Sequence, residues 1–207
     1  NTAAGIVKNF VAGADPDYVD AVRQAIDMAQ NAYPVASGKA TGTFPVKDAA
    51  GKRIVQLDPQ VFHSGTQSLH MMRVVQTNDR KAVAKIASST WREVVRHLET
   101  SREAYQKKGA AARDIEWAIQ NARIILQYMQ MQANEAMRDS SMADNVKWIL
   151  DNNPGAKIVL WSHNGHVSTA SAGGYGPMGA SLRRMYGPQM VVFGFAFNQG
   201  SFQARDQ

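Results

Sequence analysis

Lys157–Val167 reads KIVLWSHNGHV, a short apolar run that passes directly into two histidines three positions apart. Asn153-Pro154-Gly155 closes the run on its amino side, so its length and flanks predict a strand over Lys157–Trp161. MVVFGFAF at Met190–Phe197 predicts a second strand. Between them lie a Gly-rich loop, SAGGYG, and a helix, PMGASLRRMYG. Strand, helix, strand predicts a βαβ unit with parallel strands. The fold class expected is therefore α/β: a parallel-type sheet core with flanking helices and a long-helix subdomain. Strands apolar throughout are buried on both faces of a larger sheet. Two such strands and a weaker one, RIVQL at Arg53–Leu57, do not complete a sheet. The expectation is a partial chain, the carboxyl-terminal half of something larger, whose remaining strands come from chain outside these residues or from a partner.

Working outward, Asn78-Asp79 and Gly109 bound a helix expected from about Arg80 to Lys108, with Val83, Ile86, Thr90, Val94, Leu98 and Tyr105 near one stripe. A second is expected from about Asp114 toward Met137. Ser141-Met142-Ala143-Asp144 resembles a capping box that starts a third helix through VKWIL. Nearer the amino end, Asp15-Pro16 predicts a helix through Val19, Val22 and Ile26 that stops before Tyr33-Pro34. The region from there to about Asn78 reads as irregular. The division expected is a helix plus irregular insertion over 1–78, a long-helix subdomain over 79–140, and the βαβ end of the core over 141–207.

The 207 residues are 44% hydrophobic and 19% charged, the balance of a globular chain rather than a disordered one. No window approaches the roughly 18–20 apolar residues of a membrane span. The absence of cysteine excludes disulfides, thiolate metal sites and a cysteine nucleophile, and leaves the compartment open. The net charge of +6 is spread in single or paired Lys and Arg among acidic residues. A nucleic-acid binder concentrates such charge in a stripe, so neither nucleic acid nor membrane is expected as a partner.

The chemistry concentrates at the end of the 157–161 run. Open α/β sheets place ligands at the carboxyl ends of their strands, where His163 and His166 stand. Asn164-Gly165 favours a tight turn that lets both rings face one cavity. Two imidazoles there can share acid and base work or polarise a carbonyl. The plainer reading is a pair of histidines capping a strand end. Half of a metal site is a further reading, but no third ligand falls at a familiar spacing. GGYGPMG contains a formal GxGxxG at Gly174, Gly176 and Gly179, far from the strand end and with Pro177 inside it, so it reads as a loop lining the pocket. Taken alone, Arg138-Asp139 reads as a surface ion pair. Met129, Met131, Met137 and Met142 read as helix packing. No nucleophile elbow, Walker loop or HExxH is present. A hydrolase built on these residues would use water activated by a general base.

Several patches in order, RDSSMADNVKWIL, KIVLWSHNGHVS, the Met-Gly of PMGASLRRMYG and VVFGFAFNQGSF, resemble the carboxyl-terminal part of the erythromycin esterase family. The resemblance covers Arg138–Phe202. It implies an α/β core with a helical subdomain and a deep cleft, and hydrolysis of a macrolide lactone or related carboxylic ester by a histidine-activated water, without a cofactor or metal. It places His163 and His166 at the catalytic cleft and Asn164, Arg138, Asp139 and Asn145 as substrate-binding or supporting residues. The general base it implies belongs to a Glu-x-x-His-Gly-type motif of the amino-terminal half. His63 and His70, in VFHSGTQSLHMM, do not show that pattern. A small-molecule ester or lactone and the missing amino-terminal half are thus the partners expected. The other reading is a non-catalytic or biosynthesis-associated relative whose cleft binds a carbohydrate or polyketide.

Overall fold

The computed structural model describes residues 2–36, 44–47, 53–57, 80–171, 176–196 and 198–199. They form two compact units, Asn1–Glu135 and Ala136–Gln207. No described helix is long and apolar enough to cross a membrane.

The first unit is built from amphipathic helices. Helix α1 (Ala3–Ala14) starts at Thr2, whose hydroxyl accepts from the Gly5 N–H at 3.2 Å. A 3-10 turn at Pro16–Tyr18 leads into α2 (Val19–Ala36). That helix runs two residues beyond Pro34, where the sequence predicts a stop. A proline in the last turn removes only one backbone bond. Phe44–Lys47 (β1) pairs antiparallel with Arg53–Leu57 (β2), with an irregularity between Val46 and Lys47. The expected strand at Arg53–Leu57 is therefore present, in a hairpin-like ribbon. Helix α3 (Arg80–Thr100) breaks at Ser101 and resumes as α4 (Arg102–Lys107), ending at Gly109 with φ 91°. Helix α5 spans Ala112–Ala133.

The core of this unit forms where α1 meets α5, α2 meets α3, and α3 meets α5. Val7, Val11, Val22, Trp91, Val94, Leu98, Tyr105, Ile115, Ile119 and Met129 are buried together. Each large side chain so buried contributes about 1.5–3 kcal/mol. Val94, Leu98 and Tyr105 of the predicted stripe lie in this core, and Thr90 is half-buried. Val83 and Ile86 fall outside the described side chains. Trp91 donates its indole N–H to the Ala25 carbonyl at 3.0 Å, tying α3 to α2. Asp15 accepts from the Tyr105 hydroxyl at 3.0 Å and lies 2.7 Å from Nε2 of His97, whose ring stacks on Tyr18.

The second unit holds α6 (Met137–Asp151), a single helical turn α7 (Asn164–Val167) and α8 (Met178–Tyr186). Its core joins Ala143 and Val146 of α6 to Met178 and Leu182 of α8, with Ile158, Leu160, Val167 and Met190 packed alongside. The expected capping box at Ser141–Asp144 is not a helix start. It lies inside α6, which begins four residues earlier and ends at Asp151, ahead of the turn in which Gly155 takes φ 79°.

The α/β expectation is overturned. The structure is dominated by helices, and the antiparallel β1–β2 ribbon is the one sheet among the described residues. Lys157–Trp161 and the described part of Met190–Phe197 carry no strand ladder. Their side chains do alternate: Ile158, Leu160 and Met190 face the core. Val159 is 92% exposed, Trp161 87% and Phe193 76%. Continuous apolarity thus does not mark burial on two faces here. The two segments are joined through the side chain of Asn164, whose Nδ2 donates to the Phe195 carbonyl at 2.5 Å while its Oδ1 accepts from the Phe195 N–H at 3.2 Å.

Candidate functional site

His163 is the N-cap of α7, with extended backbone at φ −60° and ψ 146°. Its Nδ1 accepts the Gly165 N–H at 3.1 Å, as a capping oxygen would. The turn closes through His166 N–H to the His163 carbonyl at 2.9 Å and Ser168 N–H to the Asn164 carbonyl at 3.0 Å. Asn164-Gly165 therefore opens a helical turn.

Asp139 organises the rest of the site. It stands in the first turn of α6 and is 2% exposed. Both of its oxygens lie 2.9 Å from Nδ1 of His166, and Oδ2 accepts the Met178 N–H at 2.8 Å. A buried carboxylate is tolerated only with such compensation. The Met178 contact also has a local reason: α8 is capped by Pro177, which has no side-chain acceptor, and Asp139 supplies one from α6. One carboxylate thus fixes the start of α8 and one face of the His166 ring.

Close packing allows this. A Cβ on Gly179 would lie 2.1 Å from the Val167 carbonyl oxygen and 2.6 Å from that of Ser168. Only glycine lets α8 approach the end of the histidine turn so closely. At the other end of α8, Arg183 donates to the carbonyls of Gly187 and Met190 at 2.7 and 2.8 Å.

The sequence-predicted residues are thus placed unequally. His166 and Asp139 are in direct contact, so Asp139 is no surface ion-pair residue. Arg138, its neighbour, is exposed. His163 is exposed and joined to His166 through the turn. Asn164 holds the turn against Phe195 with both ends of its amide. Asn145 is six residues beyond Asp139 on the same helix, about 240° around its axis and so on another face. Gly179 belongs to the packing of the site rather than to a phosphate loop. The Met178 N–H and the packing role of Gly179 were not read from the sequence. A glycine at the second position of a helix, where alanine is favoured, was the available signal. His63 and His70 lie outside the described residues. No group of three or more His, Cys, Asp or Glu with metal-binding geometry occurs among the described residues.

Searches of curated proteins and of solved structures returned no match. The family model described as erythromycin esterase matches residues 6–207, which takes in both units and the 34–57 segment as well as the motif-bearing Arg138–Phe202. On the strength of that match, which agrees with the motif series around the two histidines, the chain belongs to the erythromycin esterase family.

Proposed function

We propose that the protein hydrolyses a carboxylic ester, of the macrolide-lactone type or a related one, by direct attack of water. His163 and His166 stand at the reacting centre, with Asp139 and Asn164 holding them in place. The observation that supports this most is the contact between buried Asp139 and His166 Nδ1 at 2.9 Å within a chain of this family. A buried carboxylate behind an imidazole is the arrangement by which histidine is oriented for proton transfer in many hydrolases. Arg138, exposed beside Asp139, is a substrate-facing candidate, and Asn145 a supporting one. No protein nucleophile is invoked, and the reaction consumes one water per ester.

The test is hydrolysis of macrolactones and simple carboxylic esters by the full-length protein and its His163→Ala variant. Loss of turnover with an unchanged circular dichroism spectrum is expected. Unchanged turnover would remove His163 from the reaction.

A further inference from the structure

The two extended segments of the second unit leave one apolar face bare. Ile158, Leu160 and Met190 pack against the core between α6 and α8. The residues that alternate with them point the other way. Val159, Trp161, Val191, Phe193 and Phe195 are all between 65% and 92% exposed. The segments meet on that outer face, where the Trp161 and Phe195 rings lie 5.5 Å apart. The amide of Asn164 grips the Phe195 backbone beside them. The five side chains therefore form one patch rather than single exposures scattered over the surface, which would need no explanation.

We propose that this face binds a second copy of the chain, the two patches packing against each other across a twofold axis. The area supports that occupant. Three aromatic side chains and two valines at these exposures present roughly 700 Å² of apolar surface. The largest apolar patch of a typical monomer is about 300–600 Å². Each partner in a stable interface contributes about 800 Å², which this face nearly supplies by itself. The charge pattern supports the same occupant. A twofold contact sets the patch against itself, so a charged patch would repel its own copy. Here Lys157 is the sole Lys, Arg, Asp or Glu between Ala156 and Leu182, and Met185–Ala204 contains none. That composition also disfavours other occupants. A membrane-surface contact joins Trp and Phe to a row of Lys and Arg, and a nucleic acid needs a basic stripe. Neither segment supplies one.

Trp161, Phe193 and Phe195 are the anchors of this contact, because large aromatic side chains carry most of the energy of such interfaces. Val159 and Phe193 are the residues through which to test it. Both face away from the core of the unit, and neither touches the histidine turn. A lysine at either position would sit in water in the monomer and would be buried without a partner in the dimer, where a charge is strongly opposed. Two copies of net charge +6 also repel each other at long range, so added salt should favour the dimer.

The experiment is sedimentation velocity of the full-length protein over a dilution series, with amide hydrogen exchange read at both ends of the series. The expected result is twice the monomer mass at high concentration, reverting on dilution. In the dimer the amides of 157–161 and 190–195 should exchange roughly tenfold or more slowly than in the monomer. Val159→Lys and Phe193→Lys should each remain monomeric throughout, with an unchanged circular dichroism spectrum. If a variant fails to fold, the dilution series of the unmodified protein still decides, because mass and protection must fall together. A single monomeric mass at every concentration would overturn the proposal, and protection of both segments in that monomer would assign the cover to the protein's own chain. A dimer that persists in both lysine variants, or that leaves these amides unprotected, would place the interface elsewhere. Masses that grow without limit would show open association instead of a twofold pair. Binding of the monomer to vesicles of phosphatidylcholine and phosphatidylserine, with no dimer formed, would give the face to lipid. Each of these results refutes a twofold contact through this patch.

Discussion

Replacing Gly179 by alanine tests the geometry that holds the site together. The new Cβ would meet the Val167 carbonyl oxygen at 2.1 Å, its carbon at 2.4 Å and the Ser168 oxygen at 2.6 Å. All three are backbone atoms of the chain leaving the histidine turn, so no side chain can rotate out of the way. Ordinary contact begins near 3.4 Å, and even a crowded one near 3.0 Å. The start of α8 would have to retreat by roughly 1 Å, as forced overpacking generally requires. The same retreat stretches the 2.8 Å hydrogen bond from Met178 to Asp139 beyond hydrogen-bonding range. Overpacking costs about 1–3 kcal/mol, and a hydrogen bond to a charged group about 1.5–3 kcal/mol. The expected destabilisation is therefore about 2.5–6 kcal/mol. The assay is urea unfolding followed by circular dichroism, with amide exchange of residues 178–186 to locate the loss. Gly176→Ala is the control, because nothing lies within 4 Å of its would-be Cβ. A Gly179→Ala midpoint within error of the unmodified protein, or a loss shared equally by Gly176→Ala, would show that the approach of α8 to Val167 does not depend on glycine.

The helical unit gives further tests. Asp15→Ala removes the acceptor shared by Tyr105 and His97 and should cost about 1–3 kcal/mol in denaturant unfolding, because the buried phenol loses its carboxylate partner and keeps only Ser101. Burial first, and then its hydrogen bond to Asp15, raise the Tyr105 phenol well above its ordinary pKa of 10.0. A raised value means that the stability tied to this group is complete below pH 10 and is lost as pH climbs through the folded-state value. Ultraviolet titration should show this phenolate appearing only together with unfolding, and early reversible ionisation of every tyrosine would contradict that. Trp91→Phe keeps most of the apolar contact but loses the indole hydrogen bond to the Ala25 carbonyl, and should cost about 1 kcal/mol by the same unfolding measurement. Arg96→Ala removes an exposed ion pair with Glu93 and should leave the melting temperature unchanged.

The sequence made the local features legible and the long-range ones hard to see. The helix at Met178–Tyr186 and the break at Asn153-Pro154-Gly155 follow from periodicity and turn chemistry, which act over a few residues. The histidine motif was visible because imidazoles at the end of an apolar run are rare. The parallel sheet was misread because the continuous apolar run of Lys157–Trp161 does not show which of its side chains are covered, and a strand is defined by a neighbour that the run does not specify. Asp139 was legible only as a motif position. Its neighbour Arg138 suggested a local ion pair, while its partners, His166 and Met178, lie 27 and 39 residues away. Gly179 stood in a pattern that resembles a phosphate loop, and only the approach of Val167 reveals why a side chain is excluded. The α6 start was misplaced for a related reason. Ser141–Asp144 has the composition of a cap, but the burial of Asp139 draws the helix back to Met137.

On the proposed reading, His163 and His166 serve the addition of water to an ester. The most direct measurement is mass spectrometry of a macrolactone incubated with the full-length protein and with its His166→Gln variant. Conversion to a ring-opened acid heavier by one water is expected with the unmodified protein and none with the variant. Equal conversion by both, or a product other than the hydrolysed ester, would contradict it.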